Sequence, residues 1–248
     1  MTDKETLTKV YEHTQKFCLD NKFTFKKGAS FVYSGLIKNY QIPSPFAESK
    51  NVVEVVKNDT LVTALKLREE KLNPMVLNMA SDFKPGGSVR NGMSAQEESL
   101  FRRTNYFLHL NNRTVRYPLD FSQVVYTSNV AVIKNEKNEL LDRFEYFSFL
   151  ACPGLRDPNL TKDWKLKAED RNSLRQKIRM IFQTGAYHGH DSLVLGSLGC
   201  GVFHNPPKDV AEIFNKVIEE YRGVFKRITF AIFDDPNFSI FLENIKTN

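Results

Sequence analysis

Few cysteines and no long apolar stretch occur in this sequence of 248 residues. Its three cysteines, Cys18, Cys152 and Cys200, lie far apart, and such a sparse, odd number is not typical of a disulfide framework. No run approaches the roughly 18 apolar residues that a membrane-spanning helix needs, and the polar N-terminus lacks the apolar segment of a secretory signal. We therefore expect a cytoplasmic protein, with the nucleus as the open alternative, and no membrane partner.

Repeats, low-complexity tracts and dense blocks of one charge are also missing. Lysine and arginine exceed aspartate and glutamate by 35 − 29 = 6, which suits an anionic partner without naming one. Because the lysines are scattered, they indicate a solvated surface more than a nucleic-acid-binding face. With 41% hydrophobic and 26% charged residues, the composition is that of a globular protein and excludes a disordered chain.

Short apolar runs alternate with amphipathic stretches from residue 51 onward. Six runs predict strands, at 52–56, 75–80, 124–126, 147–151, 193–195 and 228–233. The segments between them predict helices at about 61–67, 95–110, 170–184 and 208–222. This alternation predicts an α/β fold with a mostly parallel sheet that is covered by helices on both faces.

The first fifty residues show a different pattern. Residues 5–19 carry apolar side chains at helical spacing. Residues 20–50, with Pro43 and Pro45 as breakers, are predicted to be irregular. We therefore predict a helical N-terminal extension at 1–50 and a single α/β domain at 51–248. The extension either covers one side of a ligand site or stabilises the fold.

The loop after the second predicted strand combines glycines with two carboxylates. In such sheets ligands bind beyond the carboxyl ends of the strands. Gly86 and Gly87 permit close approach of a ligand, and the amides of this turn suit a phosphate. Glu97 and Glu98 then lie on and beside the apolar stripe of the next predicted helix. Acidic residues beside an apolar face are rarely buried.

Two structural interpretations compete with a catalytic one. Ser94 and Glu97 fit a capping box, and Glu98 and Arg102 fit an ion pair on a solvated helix surface. From this segment alone the structural interpretations are favoured, because acidic residues are common at helix N-termini.

A second glycine-rich loop separates the strand predicted at 193–195 from the next helix. Gly196, Gly199 and Gly201 suggest a phosphate cradle. The loop has neither the Lys-Ser/Thr ending of a nucleotide-hydrolase loop nor the spacing of a dinucleotide-binding loop. Phe203 fits either the core or a contact with a sugar or base.

A zinc site is the remaining possibility for this region. The candidate ligands are His188, His190, Cys200 and His204. Their spacing fits no common structural zinc pattern, so we predict no metal site.

Taken together, the two loops resemble the compact microbial type of poly(ADP-ribose) glycohydrolase, which is built on a macrodomain. Gly86-Gly87-Ser88 is followed after seven residues by Gln96-Glu97-Glu98, where the family has three glycines, a short spacer and Gln-Glu-Glu. The other resemblances are to the strand before the first loop, the opening strand–helix junction and the second loop, here 77–81, 58–60 and 199–203. These matches run in order over residues 51–235.

The resemblance implies a fold, an activity and a set of site residues. The fold is a three-layer α/β/α macrodomain-like fold with a mostly parallel mixed sheet. The activity is hydrolysis of the glycosidic bond of ADP-ribose units, either ribose–ribose bonds of poly(ADP-ribose) or O-linked ADP-ribose. Glu98 is the general acid and then the general base, and Glu97 holds the scissile ribose. The implied substrate-binding residues are Asp59 at the adenine, Asn78 and Asn91 near the ribose, Gln96 beside Glu98, and Gly86, Gly87, Ser88, Val89, Gly199, Cys200, Gly201, Val202 and Phe203 around the diphosphate and distal ribose.

The implied reaction needs no cofactor or metal. Its partner is ADP-ribose or poly(ADP-ribose) on modified proteins. Nucleic acid is expected only as an ADP-ribosylated target, and we expect a monomer.

One position departs from the family pattern. Ser88 stands in place of the third glycine. A serine would be strained there if the backbone needed a positive φ, or it would narrow the cleft. A distorted loop would bind ADP-ribose without cleaving it, so a non-catalytic ADP-ribose reader is the alternative function.

Overall fold

Seven strands form one sheet in the computed structural model, which describes residues 3–43, 45–46, 51–110 and 114–247. The strands are β1 Ser30–Ser34, β2 Val52–Val56, β3 Pro74–Asn78, β4 Gln123–Lys134, β5 Leu140–Ala151, β6 Ser192–Leu195 and β7 Arg227–Ala231. The α-helices are α1 Lys4–Asp20, α2 Thr60–Glu69, α3 Gln96–Arg103, α4 Tyr106–Leu110, α5 Ala168–Tyr187, α6 Pro207–Glu220 and α7 Asp235–Asn244. A short 3-10 turn lies at Val89–Asn91.

The strand order places three loop-bearing strands side by side. The order is β1-β4-β5-β3-β6-β7-β2. Pairing is parallel from β5 to β2, and antiparallel where β4 joins β5 and β1. The ends of β3 and β5 are in register, with Asn78 opposite Ala151. The loops after β3, β5 and β6 therefore leave the same edge of the sheet, which is where ligands of such sheets bind.

Apolar residues on alternate faces of the sheet build two cores. Met75 and Leu77 of β3 pack in one core with residues of α5, α6 and α7. Val76, between them, packs in the other core with residues of α2 and α3. Because side chains of a strand alternate between faces, a strand with all five residues buried must be covered on both sides. The predicted mixed, mostly parallel α/β fold is confirmed.

The prediction that residues 20–50 are irregular is wrong at Ser30–Ser34. This segment forms β1, an antiparallel edge strand on β4 that pairs Ser30 with Thr127. Its side chains are only partly buried, so it lacks the apolar run by which the other strands were predicted. Residues 44 and 47–50 lie outside the described residues, and the division of the chain at residue 51 remains a prediction.

The helix predicted at residues 5–19 is confirmed as α1, and it supports the segment that follows β3. The Thr14 hydroxyl donates to the carbonyl oxygen of Arg102 in α3. The carbonyl of Lys4 lies so close to Gly92 that a Cβ there would be 2.1 Å from its oxygen. Gly92 also has a φ of +68°, which favours glycine.

Within the described ranges, none of the helices has both the length and the apolarity needed to cross a membrane.

Candidate active site

The Glu97 carboxylate is buried in the first turn of α3, with 4% of the residue exposed. Its Oε2 accepts a hydrogen bond from the Ser81 amide at 2.7 Å. Its Oε1 accepts from Asn78 Nδ2 at 3.2 Å and from the Gly86 amide at 3.1 Å. Glu97 thus holds the end of β3 and the glycine turn together.

The capping-box interpretation of Glu97 is wrong. Ala95, not Ser94, is the N-cap of α3, and no side chain caps this helix. The Glu97 carboxylate instead turns inward to the loop after β3, where it meets three N–H donors that would otherwise be buried without partners.

Glu98 also faces the glycine turn, so the surface ion-pair interpretation is wrong. Its Oε1 accepts from the Ser88 amide at 2.9 Å. Both Glu98 and Arg102 are buried, with 7% and 3% exposed, and the Arg102 guanidinium donates to the carbonyl oxygen of Met93 at 2.6 Å. The two adjacent carboxyls therefore accept hydrogen bonds from neighbouring amides of one loop.

Burial raises the pKa of Glu97 to about 8, because desolvation disfavours the charged carboxylate. The hydrogen bonds from Ser81, Asn78 and Gly86 act in the opposite direction, and the nearby Glu98 acts in the same direction as burial. At neutral pH the Glu97 carboxyl therefore holds a proton for much of the time.

Gln96 ties the start of α3 to the end of β3. Its Oε1 accepts from the Met79 amide at 2.9 Å. Its Nε2 donates to the Leu77 carbonyl at 2.7 Å and to Thr60 Oγ1 at 3.3 Å. These bonds fix the helix turn from which the two glutamates project.

The glycine turn needs its first two glycines and tolerates Ser88. Gly87 has a φ of +52°, and a Cβ there would lie 2.5 Å from Glu98 Oε1. Gly86 has a φ of +78°, and its Cβ would lie 2.6 Å from the Phe101 ring. Ser88 has a φ of −106°, an ordinary value for serine. The strain at Ser88 that favoured a non-catalytic reader is therefore absent.

A cavity of about 430 Å³ opens beside this turn. Its lining residues are Ser81, Asp82, Phe83, Lys84, Gly87, Ser88 and Arg156. Gly87 and Ser88 are the predicted site residues among them, and both lie against the Glu98 carboxyl. The sequence analysis missed Asp82, Lys84 and Arg156, although the first two directly follow β3 and the third follows β5 at the same edge. Inspecting every loop at the carboxyl ends of the strands would have found them.

The second glycine loop is held in shape by Asn205, which sequence analysis also missed. Its Nδ2 donates to the carbonyl oxygens of Leu155, Gly199 and Phe203 at 2.6, 3.0 and 3.2 Å. Gly199 has a φ of +74° and no room for a Cβ, which would lie 2.6 Å from Asn205 Nδ2. The Asn205 side chain thus fixes the conformation of this loop.

The remaining predicted residues of the second loop differ in exposure. Gly201 and Val202 are exposed at its tip, and Phe203 is half-buried. The Cys200 thiol is turned toward the Leu198 carbonyl, and burial raises its pKa.

Four other predicted site residues do not line the cavity: Asp59, Asn78, Val89 and Asn91. Asp59 is the N-cap of α2 and pairs with the buried Arg103 at 2.8 Å. Asn78 is fully buried and donates to Glu97. Val89 is buried and Asn91 is exposed in the 3-10 turn, and neither lines the cavity. The proposed contacts of these residues with substrate stay predictions.

The histidines weighed as zinc ligands have other partners. His188 stacks on Tyr126 with ring centroids 3.6 Å apart. His190 contacts the Tyr126 hydroxyl at 3.0 Å, and His204 pairs with Asp157 at 2.7 Å. In the part of the chain that the structure describes, no group of three or more His, Cys, Asp or Glu side chains could hold a metal ion.

Comparisons with known proteins identify a family and several similar structures. Residues 4–135 match the family model described as microbial-type PARG, catalytic domain. The crystal structure of poly(ADP-ribose) glycohydrolase from Deinococcus radiodurans in complex with ADP-ribose is 27% identical, with a TM-score of 0.71, over 80% of this chain and 85% of that chain. No curated protein matches.

Two structures from Thermomonospora curvata share the fold over nearly the whole chain. Its poly(ADP-ribose) glycohydrolase is 22% identical, with a TM-score of 0.75, over 97% of this chain and 100% of that chain. The same enzyme bound to the inhibitor ADP-HPD is 22% identical, with a TM-score of 0.73, over 96% and 99%. The fold class that the two loops implied is confirmed.

Proposed function

The chain belongs to the microbial-type poly(ADP-ribose) glycohydrolase family, and on this premise we propose how its residues perform the reaction. It is a glycoside hydrolase that cleaves glycosidic bonds of poly(ADP-ribose), as predicted. We propose that Glu98 is the general acid and then the general base. The observation that carries this assignment is the pair of buried carboxyls directly behind Gly87 and Ser88 at the cavity.

Glu98 has the geometry that a proton-transfer group needs. Among the described residues only its Oε1 accepts a hydrogen bond, from the Ser88 amide. This bond fixes the carboxyl and leaves Oε2 available for the substrate. In the proposed reaction Glu98 gives its proton to the leaving oxygen as the glycosidic bond at C1″ breaks. It then takes a proton from the water that attacks C1″, which returns it to the acid form.

Glu97 is proposed to hold the scissile ribose. Adjacent residues on a helix point about 100° apart, so the two glutamates need not be the opposed pair of many glycosidases. A protonated Glu97 both donates to and accepts from ribose hydroxyls. It also adds no second negative charge beside Glu98 after Glu98 has given its proton to the leaving oxygen.

The rest of the substrate is proposed to extend between the two glycine loops. Amides at the tip of the second loop, which Asn205 braces, would bind the diphosphate, and Phe203 would pack against the distal ribose. We further propose that the substrate is carried on modified proteins and that the enzyme works as a monomer in the cytoplasm.

Turnover of poly(ADP-ribose) by the wild type and by Glu98→Gln tests the proposal. The substitution keeps the size of the side chain and removes the proton that it transfers, so we expect a loss of about 10²- to 10⁴-fold in kcat. Glu69→Gln, on the exposed end of α2, is the matched control and should keep full activity. A fully active Glu98→Gln enzyme would overturn the assignment.

A further inference from the structure

Arg156 joins the loop after β5 to the loop after β3. Its Nε donates to Asp82 Oδ2 at 3.0 Å, and its Nη2 donates to Asp82 Oδ1. The two parallel bonds form a bidentate pair, whose planar geometry fixes direction as well as distance. The guanidinium also holds the pKa of Asp82 below its usual range, so this carboxylate keeps its charge.

The same guanidinium lies over a ring of the second glycine loop. Arg156 Cζ is 4.2 Å from the centroid of Phe203, a cation–π contact. Two hydrogen bonds also join these segments: the Asp157 amide donates to the Phe203 carbonyl at 3.2 Å, and the Asn205 side chain donates from Nδ2 to the Leu155 carbonyl. Arg156, which lines the cavity, thus contacts both the loop after β3 and the second glycine loop.

Stability alone does not account for this arrangement. The side chains of Arg156 and Asp82 are 47% and 31% exposed, and ion pairs in such positions contribute little to the free energy of unfolding. Both residues line the cavity and Arg156 contacts Phe203, so their arrangement bears on the shape of the site instead.

We propose that Asp82, Arg156 and Phe203 form a clamp that sets the orientation of Phe203 and the separation of the loop after β3 from the second glycine loop. Arg156 is then a positioning residue, with Asp82 as its anchor, and the clamp determines how well the cleft accepts the distal ribose of ADP-ribose. This inference rests on the proposed function, because it assumes that Phe203 packs against that ribose.

The competing role for Arg156 is direct binding of the substrate diphosphate. The two roles make opposite predictions for Asp82→Asn. If Arg156 binds phosphate, loss of the carboxylate frees the guanidinium and tightens binding. If Arg156 is anchored by Asp82, the same change releases it from Phe203 and weakens binding.

Calorimetric titration with ADP-ribose and with ADP, which lacks the distal ribose, separates the two roles. The variants are Asp82→Asn, Arg156→Ala and the double variant, with Arg143→Ala as the control because that arginine is exposed on β5. We expect each single variant to bind ADP-ribose about two- to fivefold more weakly, the size of one exposed cation–π contact. The double variant should be no weaker than Arg156→Ala, and ADP binding should change less.

Three results would overturn the clamp: tighter ADP-ribose binding by Asp82→Asn, additive losses in the double variant, or equal losses for ADP and ADP-ribose. Circular dichroism and thermal melting of each variant identify any that fails to fold. In that case Arg156→Lys replaces it, because lysine keeps the charge without the bidentate fork. We expect this variant to show the same loss of ADP-ribose affinity. A wild-type protein that binds no ADP-ribose would overturn the proposed function itself, a result distinct from any difference between variants.

Discussion

At the scale of single residues, Glu97 shows how the fold buries a carboxyl against the glycine turn. Three N–H donors converge on it, yet burial still raises its pKa to about 8. Buried ionisable groups at functional sites commonly have such displaced pKa values. In this site the result is a neutral neighbour for Glu98 at physiological pH.

The raised pKa of Glu97 predicts a pH dependence of stability. The folded pKa of about 8 lies above the reference value of 4.5, so between these values the folded state binds more protons and the free energy of unfolding falls as pH rises. Glu97→Gln removes this contribution. Denaturant unfolding at about pH 5 and about pH 9 measures this. From the lower to the higher pH, the free energy of unfolding of the variant should rise by more than about 1 kcal/mol relative to that of wild type.

Glu69→Gln, exposed on α2, serves as the control for that comparison and should follow the wild type. An identical pH dependence in Glu97→Gln and wild type would show that the buried carboxyl is ionised throughout.

The close packing around Gly87 predicts that one added methyl group lowers the activity. A Cβ would lie 2.5 Å from Glu98 Oε1 and 3.1 Å from Glu97 Oε2, so Gly87→Ala must displace a carboxyl. Misplacement of a catalytic group by about 1 Å costs about 10²-fold in rate, and kcat for poly(ADP-ribose) should fall by that order. Gly189→Ala is the control, since Gly189 also has a positive φ but no atoms within 4 Å of the added methyl. Equal activity losses in both variants would refute steric displacement as the cause.

At the scale of elements, α1 supports the segment that follows β3. It contacts Gly92 at the end of the 3-10 turn and Arg102 near the end of α3. Because α3 carries both glutamates, the N-terminal helix packs against the helix that we propose to be catalytic.

Thr14→Val tests this support. Thr14 is fully buried, and the change removes its hydroxyl bond to the Arg102 carbonyl, so we expect a loss of about 1–2 kcal/mol in the free energy of unfolding. Thr24→Val, on an exposed turn, should change it by less than about 0.5 kcal/mol. Denaturant unfolding measures both, and equal effects would contradict the support by α1.

The elements also show why sequence patterns predicted only part of the fold. All five residues of β3 are buried, so the strand could be predicted from its apolar run. No residue in the first half of β5 is buried, and only its mostly buried end at 147–151 was predicted. β1 is an edge strand with mixed burial, and α7 was not predicted.

The same limit applies to the site. Glu97 and Glu98 were found because their spacing from the glycine turn is a local pattern. The pair of Asp82 and Arg156 joins residues 74 positions apart, and no local spacing marks it. Only the sheet order, which places the loops after β5 and β3 side by side, brings the two residues together.

At the scale of the whole molecule, loops from three neighbouring strands lie at one edge of the sheet. The loop after β3 lines the cavity and leads into α3, which carries the two carboxyls. Asn205 holds the loop after β6 in shape, and Arg156, in the loop after β5, links the other two loops. The excess of six positive charges is spread over the chain and would chiefly assist the approach of a polyanionic substrate.

The crystal structure of Glu98→Gln with ADP-ribose bound tests the central claim most directly. If Glu98 is the acid and base, the side chain at position 98 should lie within about 3.2 Å of the oxygen at C1″ of the distal ribose, with the residue 97 carboxyl at the ribose hydroxyls. A ligand that places its adenine or diphosphate beside residue 98, with the distal ribose outside the cavity, would contradict the account.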